Sequence, residues 1–259
     1  NNFLKIDNIY IELNFYKNMK YKIHGDDMQL VEISLSTPVR AEPGAMVFMD
    51  ESVQMDTSTG GGMWKGFKRA LTGDRFFITT FSGKGNVAFA APYPGKIIPI
   101  DIKGKDYICQ RDSFLCAEKV IDIDIAFTKK FRAGFFGGEG FILQKLSGDG
   151  KAFVHAGGTV IEKTLKSGET LKVDTGCIVA FESHVDYSIS FVGGFKNTLF
   201  GGEGLFLATL KGPGKVYLQS LPFSRLAQRV MKATRKGRGE KQGPVGRSFG
   251  NILGGDHGF

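Results

Sequence analysis

The most constraining feature of this sequence is a long motif that occurs twice. Residues 135–151 read FFGGEGFILQKLSGDGK and residues 199–215 read LFGGEGLFLATLKGPGK, so Glu139 and Glu203 lie 64 residues apart. Glycine costs about 1 kcal/mol relative to alanine inside a helix or strand, which makes the Gly-Gly-Glu-Gly segments turns. The short apolar run after each turn has the length and flanks of a buried strand, and a Gly-x-Gly turn closes it. The motif therefore predicts a repeated strand–turn–strand.

Three markers indicate that the whole unit occurs three times. A diverged copy of the motif, TGDRFFITTFSGKG, lies at residues 72–85 and has Asp74 in place of the glutamate. An acid–Ser pair in a strand-like run also occurs three times, at Glu51-Ser52, Asp112-Ser113 and Glu182-Ser183. A segment of alternating apolar and polar residues precedes each pair. Three markers in the same order, three times, indicate internal triplication.

This organisation predicts an all-β protein built from short, evenly spaced strands, as in β-sandwich or barrel-like units. In the third copy, KSGET is predicted to form the turn of a β-hairpin. Residues 1–18, ahead of Met19, match nothing downstream and have no secretory-signal pattern. They are expected to be an extension, and the alternative is an ordinary extra strand or arm. The predicted segments are the extension 1–18, β repeats 19–91, 92–157 and 158–221, and a basic helix with a Gly-rich tail, 222–259.

The repeated turns carry acidic residues that invite a catalytic interpretation. Because Asp74, Glu139 and Glu203 are equivalent repeat positions, a shared structural role is the stronger hypothesis. The residues assigned to these structural turns are Asp74, Gly137, Gly138, Glu139, Gly140, Gly201, Gly202, Glu203 and Gly204.

No other pattern in the chain indicates an active site. The four histidines lack metal-ligand spacing, and G-x-S-x-G at 246–250 lies in the Gly-rich tail, without the flanking strand and helix that a nucleophile elbow needs. Alternation places Glu182, His184 and Asp186 on one strand face, interpreted as a solvated edge. We predict a protein that is not an enzyme, with no catalytic residue, no metal and no cofactor.

An amphipathic segment, residues 63–71, interrupts the first copy. On a helix its apolar residues share one face and its lysines and arginine point away. One interpretation is contact with a membrane surface or a partner, through Trp64, Lys65, Phe67, Lys68 and Arg69. The alternative, which we favour, is a crossover helix packed on the protein's own sheet.

A second amphipathic segment, residues 222–243, carries most of the net charge. Of the formal charge of +8, the residues from Phe223 onward contribute +6, so the rest of the chain is nearly neutral. A basic amphipathic helix binds anionic lipid or nucleic acid, and the candidate contacts are Arg225, Arg229, Lys232, Arg235, Lys236 and Arg238. The equally weighted alternative is a helix docked on the body with a solvated charged face.

The cysteines and the hydropathy of the chain indicate its cellular compartment and whether it has a membrane-spanning segment. The three cysteines form no C-x-x-C pair and are odd in number, which favours a reducing, cytoplasmic location over a disulfide framework. No apolar run approaches the roughly 20 residues that span a bilayer.

Several long segments resemble the altered-inheritance-of-mitochondria family. They include HGDDMQLVEISLSTPVRAEPGAMVFMD, FRAGFFGGEGFILQKLSGDGKAFVHAGG and VGGFKNTLFGGEGLFLATLKGPGKVYLQS, and the likeness covers about Met19 to Ser220. The resemblance implies a fold like the tryptophan RNA-binding attenuator protein, a short double-stranded β-helix here in three tandem copies. It also implies side-by-side assembly, with a homotrimer favoured, and it carries over no catalytic residue.

Three functional hypotheses follow. The first is a non-enzymatic, oligomeric interaction or scaffold protein, linked by the resemblance to membrane organisation or biogenesis, with a peripheral membrane or protein partner. The second is RNA or other nucleic-acid binding by an attenuator-like ring with a basic tail, which the near-neutral body weakens because phosphate contacts need clustered Lys and Arg. The third is small-ligand binding between repeats, which no motif supports.

Overall fold

The computed structural model describes residues 3–6, 9–12, 19–42, 44–57, 78–129, 140–192 and 205–239. Within these ranges the chain forms antiparallel β-sheets and one α-helix, so the predicted all-β class is confirmed. The helix is α1 (Phe223–Gly239). The amphipathic segment 63–71 lies outside the described residues.

The first strands form a separate hairpin and the edge of the first unit. They are β1 (Phe3–Ile6), β2 (Ile9–Glu12) and β3 (Lys20–His24). β1 pairs only with β2 among the described strands, whereas β3 pairs with the first strand of the next group. The two strands of the hairpin lie in the segment interpreted as an extension, whose boundary stays a prediction.

The next eighteen strands fall into three groups of six, which we call units. The first unit contains β4 (Leu30–Leu35), β5 (Val39–Ala41), β6 (Met46–Met49), β7 (Val53–Asp56), β8 (Thr79–Gly83) and β9 (Gly85–Ala90). The second contains β10 (Gly95–Ile102), β11 (Tyr107–Gln110), β12 (Phe114–Glu118), β13 (Asp122–Lys129), β14 (Phe141–Ser147) and β15 (Gly150–Gly157). The third contains β16 (Val160–Leu165), β17 (Thr170–Asp174), β18 (Ile178–Glu182), β19 (Asp186–Val192), β20 (Leu205–Lys211) and β21 (Gly214–Gln219).

The same four strand pairings occur in every unit. The first strand pairs with the sixth, the third with the sixth, the second with the fifth, and the fourth with the fifth. Each third strand also carries a register shift at the same place, two residues after its start in β6, β12 and β18. This recurrence supports the interpretation as three copies and the similarity to the fold of the tryptophan RNA-binding attenuator protein. Both stay predictions.

Neighbouring units share sheets. The second strand of one unit pairs with the third strand of the next, β5 with β12 and β11 with β18, and each pairing joins two three-stranded halves into a six-stranded sheet. We call these two pairings the junctions. The buried hydrophobic residues form three clusters. Each shared sheet takes three strands from each of two neighbouring units, so each junction links the hydrophobic cores of those two units.

The Gly-x-Gly turns are corners at which the chain changes sheets. Gly148 lies between β14 and β15, which belong to different sheets, and it has φ +128°. A Cβ atom there would lie 2.8 Å from the carbonyl oxygen of Val120. The run FILQKL before this corner is strand β14 and its leading residues are buried, as its apolar pattern predicts.

Two details of the predicted repeat are wrong. The segment KSGET does not close a hairpin, because β16 pairs with β21 and β17 pairs with β20 in another sheet. Asp112-Ser113 is not the middle copy of the acid–Ser marker. It lies in a 3-10 turn between β11 and β12, whereas Glu51 and Ser183 lie in the turn after a third strand.

In the structure an acid lies at the same place in every unit, at the end of the third strand or in the residue after it. Asp50 accepts a hydrogen bond from the N–H of Asn86, Glu118 from Lys151 and Glu182 from Lys215, at 2.7, 2.7 and 2.9 Å. Each donor follows the glycine that opens a sixth strand. These carboxylates therefore hold the corner of each unit, the structural role that the sequence argument assigned to other acids.

Candidate functional site

Helix α1 begins directly after the last strand of the third unit. The carbonyl of buried Pro222 accepts hydrogen bonds from the N–H groups of Arg225 and Leu226, so Pro222 is the residue that precedes the first turn of the helix. Good helix formers and i, i+3, i+4, i+7 apolar spacing favour a helix here, as predicted. Its basic residues continue to the C-terminal end, where the helix dipole favours positive charge.

The first turns of α1 are fixed to the body by two contacts. Arg225 donates a 2.8 Å hydrogen bond to Asp174, the last residue of β17, and the pair is a salt bridge. The ring of Phe223 packs on Tyr93 with centroids 5.2 Å apart. The helix therefore has a defined starting position beside the third unit.

Much of the apolar face of α1 is not covered by the body. Phe223 is 46% exposed and Val230 is 55% exposed, although both belong to the apolar stripe. Leu226 and Ala227, between them, are half-buried. From Phe223 to Gly239 the helix carries six basic residues and no acidic one. An exposed apolar stripe on a helix of this charge is suited to an anionic, partly apolar surface.

The predicted site residues have different outcomes. Arg225 and Arg229 are both exposed, and Arg225 is partly committed to Asp174. Lys232, Arg235, Lys236 and Arg238 lie within the helix by backbone. Gly140 precedes β14 with φ +88°, as a turn glycine requires. The remaining predicted residues lie outside the described part of the chain: Trp64, Lys65, Phe67, Lys68, Arg69, Asp74, Gly137, Gly138, Glu139, Gly201, Gly202, Glu203 and Gly204.

The acids around His184 do not form the solvated strand edge predicted from alternation. Glu182 ends β18, Asp186 begins β19, and a turn separates them. Glu182 is 5% exposed and pairs with Lys105 at 2.9 Å. Burial alone would raise the pKa of Glu182, but the hydrogen bonds from Lys105 and the Lys215 N–H outweigh it and lower that pKa. This carboxylate is a structural anchor.

Sequence reasoning did not find a cluster of titratable groups at the first junction. Burial, and then the negative charge of Asp112, raise the pKa of Glu42 to about 7, while Arg111 opposes the shift. Tyr93 donates to the Asp112 carbonyl at 3.2 Å, and burial raises the pKa of its hydroxyl. Burial also raises the pKa of Asp112, and the positive charge of Arg111 opposes that shift.

His155 packs edge-to-face against the ring of Tyr93. Its ring centroid is 4.5 Å from that of Tyr93, it is 2% exposed, and burial lowers its pKa to about 4. The imidazole is therefore neutral at physiological pH. Glu42 and His155 are far apart in the sequence and lie in no recognisable motif, so only the pairing of the strands could have shown that they are neighbours of one tyrosine.

Tyr93 and His155 of this cluster are buried in the body. Burial raises the pKa of the Cys109 thiol to about 12 and that of Cys116 as well, which makes both thiols unreactive. Across the described ranges, no three His, Cys, Asp or Glu side chains are grouped so that they could hold a metal ion. None of the helices in those ranges is long and apolar enough to cross a membrane.

The fold and the helix together define a class: an all-β protein of short antiparallel sheets, shared between successive units, that presents one basic amphipathic helix. Comparison with known proteins gives the family. Residues 21–221 match the family model described as "Mitochondrial biogenesis AIM24", and the chain belongs to this family.

Two similar proteins come from Streptococcus pyogenes. An uncharacterized protein of the serotype M6 strain is 29% identical over 209 residues, which cover 76% of this chain and 84% of that protein. The X-ray crystal structure of protein SPYM3_0169, a structural-genomics target, superposes with a TM-score of 0.69 at 27% identity. That alignment covers 83% of this chain and all of the other. The structural match supports the fold, and the name of neither protein describes an activity.

Proposed function

We propose that this protein is a non-enzymatic, oligomeric scaffold that docks on anionic membrane surfaces through helix α1. The observation that carries the proposal is the exposure of Phe223 and Val230 on the apolar stripe of a helix with six basic residues and no acidic one. Such a helix lies in the interface plane, with its apolar side chains below the headgroups and its cations among the lipid phosphates. The family's description, mitochondrial biogenesis, is compatible with a role in membrane organisation.

The exposed apolar residues favour lipid over nucleic acid. Binding to a nucleic-acid backbone uses cations alone and gains nothing from an exposed valine on the same helix. Insertion into a lipid interface uses both features, since burial of each apolar group adds to the attraction of the charges. Nucleic-acid binding therefore remains the alternative that the same experiment tests.

The proposal extends to oligomeric state and compartment. We propose a homo-oligomer, with a trimer favoured, in a reducing, cytoplasmic setting. The supports are the shared sheets between units and the three cysteines, which are all free.

The direct test is co-sedimentation of the full chain with vesicles of phosphatidylcholine alone or with added phosphatidylserine. We expect binding only to the anionic vesicles, and weaker binding in 0.5 M salt. The variant Phe223→Gln/Val230→Gln should bind about 30-fold more weakly, since the two half-exposed side chains together contribute about 2 kcal/mol on burial.

Matched controls separate docking from a general loss of apolar surface. Val120→Gln/Ile161→Gln replaces two residues of similar exposure, 54% and 45%, on the body, and vesicle binding should not change. An RNA oligonucleotide is titrated in parallel. Equal binding of the helix variant and the wild type to vesicles, or RNA binding without vesicle binding, would contradict the proposal.

A further inference from the structure

The first turn of helix α1 is held against the body by an apolar and by an ionic contact. The ring of Phe223 packs on that of Tyr93, and the guanidinium of Arg225 donates to the carboxylate of Asp174 at 2.8 Å. Residues two apart on an α-helix do not share a face. The body therefore holds this turn on two different sides, and a lipid surface that takes up Phe223 must replace its contact with Tyr93.

Asp174 is fixed in position by a second hydrogen bond. Its Oδ1 atom accepts from the N–H of Gly176 at 3.0 Å and so caps the 3-10 turn Thr175–Cys177. The other oxygen, Oδ2, is the atom that binds Arg225. The body thus offers Arg225 an oriented anion, and a lipid phosphate would offer the same kind of charge-assisted hydrogen bond.

Tyr93, the partner of Phe223, is also fixed in position. It is 9% exposed, its hydroxyl donates to the Asp112 carbonyl at 3.2 Å, and its ring packs edge-to-face with His155. None of these contacts involves α1. The ring of Tyr93 therefore keeps its place whether or not Phe223 is packed on it.

The chain is anchored up to the start of the helix and held less firmly beyond its first turn. The N–H of Leu221 donates to the Gly157 carbonyl at 3.0 Å, and Pro222 is buried. Further along α1, Arg229 and Val230 are exposed. Movement of α1 away from the body would therefore begin directly after Pro222 and would break the contacts of Phe223 and Arg225.

We propose that Asp174 and Tyr93 form a latch that holds α1 on the body, and that α1 transfers from this latch to lipid when the protein binds a membrane. The carboxylate takes the place of a lipid phosphate, and the ring takes that of the acyl chains. The latch therefore competes with lipid for Arg225 and Phe223 and lowers the affinity for membranes. This inference rests on the proposed function, because it describes the regulation of the same helix.

The first part of the test measures the latch without lipid, by amide hydrogen exchange of α1 in Asp174→Asn. Asparagine removes the charge and keeps an oxygen that can cap the 3-10 turn. A free helix of this length is marginally stable in water, so release of α1 speeds its exchange. We expect exchange about two- to fivefold faster than in the wild type, the range for an exposed ion pair. Exchange of β18 should not change, which shows that the body is intact.

The second part compares the binding of two variants to vesicles of phosphatidylcholine with added phosphatidylserine. Asp174→Asn should bind about two- to fivefold more tightly than the wild type, because Arg225 is no longer shared with the body. Arg225→Gln opens the same contact, so exchange of α1 should again be faster. It also removes a cation that would bind lipid phosphate, so its affinity for the vesicles should not exceed that of the wild type.

The matched control is Asp186→Asn, which changes the net charge by the same amount at an exposed residue of the same unit. Exchange of α1 should be unchanged in this variant, and any gain in vesicle binding measures the effect of net charge alone. Unchanged exchange of α1 in Asp174→Asn would overturn the latch. Vesicle binding by Asp174→Asn no tighter than that by Asp186→Asn would overturn the competition with lipid.

Failure of the proposed function gives a different result. A wild-type chain that binds no vesicles would contradict membrane docking and the transfer of α1 to lipid. The exchange comparison in solution would then decide by itself whether Asp174 holds the helix on the body.

Discussion

At the scale of single residues, Glu42 makes the stability of this protein depend on pH. Its pKa is raised to about 7 from an ordinary value of 4.5. The folded state therefore holds a proton that the unfolded state releases, so this contribution to stability is complete below pH 4.5 and is lost as the pH rises to 7. One pKa unit corresponds to about 1.4 kcal/mol, and partial exposure reduces the total to about 1–2 kcal/mol.

The variant Glu42→Gln should remove this dependence. At pH 8 we expect it to be more stable than the wild type by about 1–2 kcal/mol, because no charge is buried beside Asp112. Urea unfolding between pH 4.5 and 8 measures the difference, with Glu51→Gln, in an exposed turn, as the control. A Glu42→Gln profile parallel to that of the wild type would show that this carboxyl is not shifted.

His155 has the opposite effect on the acid side. Its pKa is lowered to about 4, so its contribution to stability is complete above pH 6.5 and is lost as the pH falls to 4. Glutamine is a suitable replacement, since Gln219 holds the matching place in the third unit and is satisfied by the Gly157 N–H and the Gly176 carbonyl. As the pH falls from 6.5 to 4, we expect the free energy of unfolding of His155→Gln to decrease by about 3 kcal/mol less than that of the wild type. An unchanged acid limb would contradict the assignment of a neutral, buried imidazole.

At the scale of elements, the glycine corners decide where the chain changes sheets. Gly148→Ala should destabilise the fold by about 3 kcal/mol, because it combines a φ of +128° with a Cβ contact of 2.8 Å to backbone. Gly168→Ala is the matched control: its φ is +80°, but nothing lies within 4 Å of the added Cβ, so about 1 kcal/mol is expected. Chemical denaturation compares the two, and equal losses would mean that the corner is not tightly packed.

The elements also show what the sequence could predict. Apolar runs such as FILQKL identified buried strands, and i, i+3, i+4, i+7 spacing identified α1, because both signals are local. The pairing of these strands was not predictable in the same way. KSGET has the composition of a hairpin turn, yet the strands on either side enter different sheets, since β16 pairs with β21 and β17 pairs with β20.

The candidate site was predictable only in part. The charge and spacing of α1 were visible in the sequence, but the exposure of Phe223 and Val230 depends on how little of the body lies beside the helix. The acid–Ser marker was matched by residue type alone, and this favoured Asp112-Ser113 as the copy in the second unit. Glu118 and Glu182 are the true pair, 64 residues apart like Glu139 and Glu203, so this spacing was the signal that could have found them.

At the scale of the whole molecule, the same kind of junction occurs twice within the chain. Among the described strands, β6 of the first unit and β17 of the third unit have no junction partner. Each shared sheet lies over two cores, so the first and third units each have one half-sheet that no neighbouring unit extends. Assembly through these halves would repeat, between chains, the interaction that already joins units within the chain. A ring of this kind would also present several copies of α1, and multiple weak membrane contacts bind far more tightly than one.

The most direct measurement is amide hydrogen exchange of β6 and β17 in the wild-type chain at high and at low protein concentration. Pairing between copies predicts that both strands are protected at high concentration and lose protection on dilution, because dissociation exposes their edges. Strands β12 and β18, which are paired within the chain, should be protected equally at both concentrations. Protection of β6 and β17 that does not change on dilution would contradict assembly through these edges.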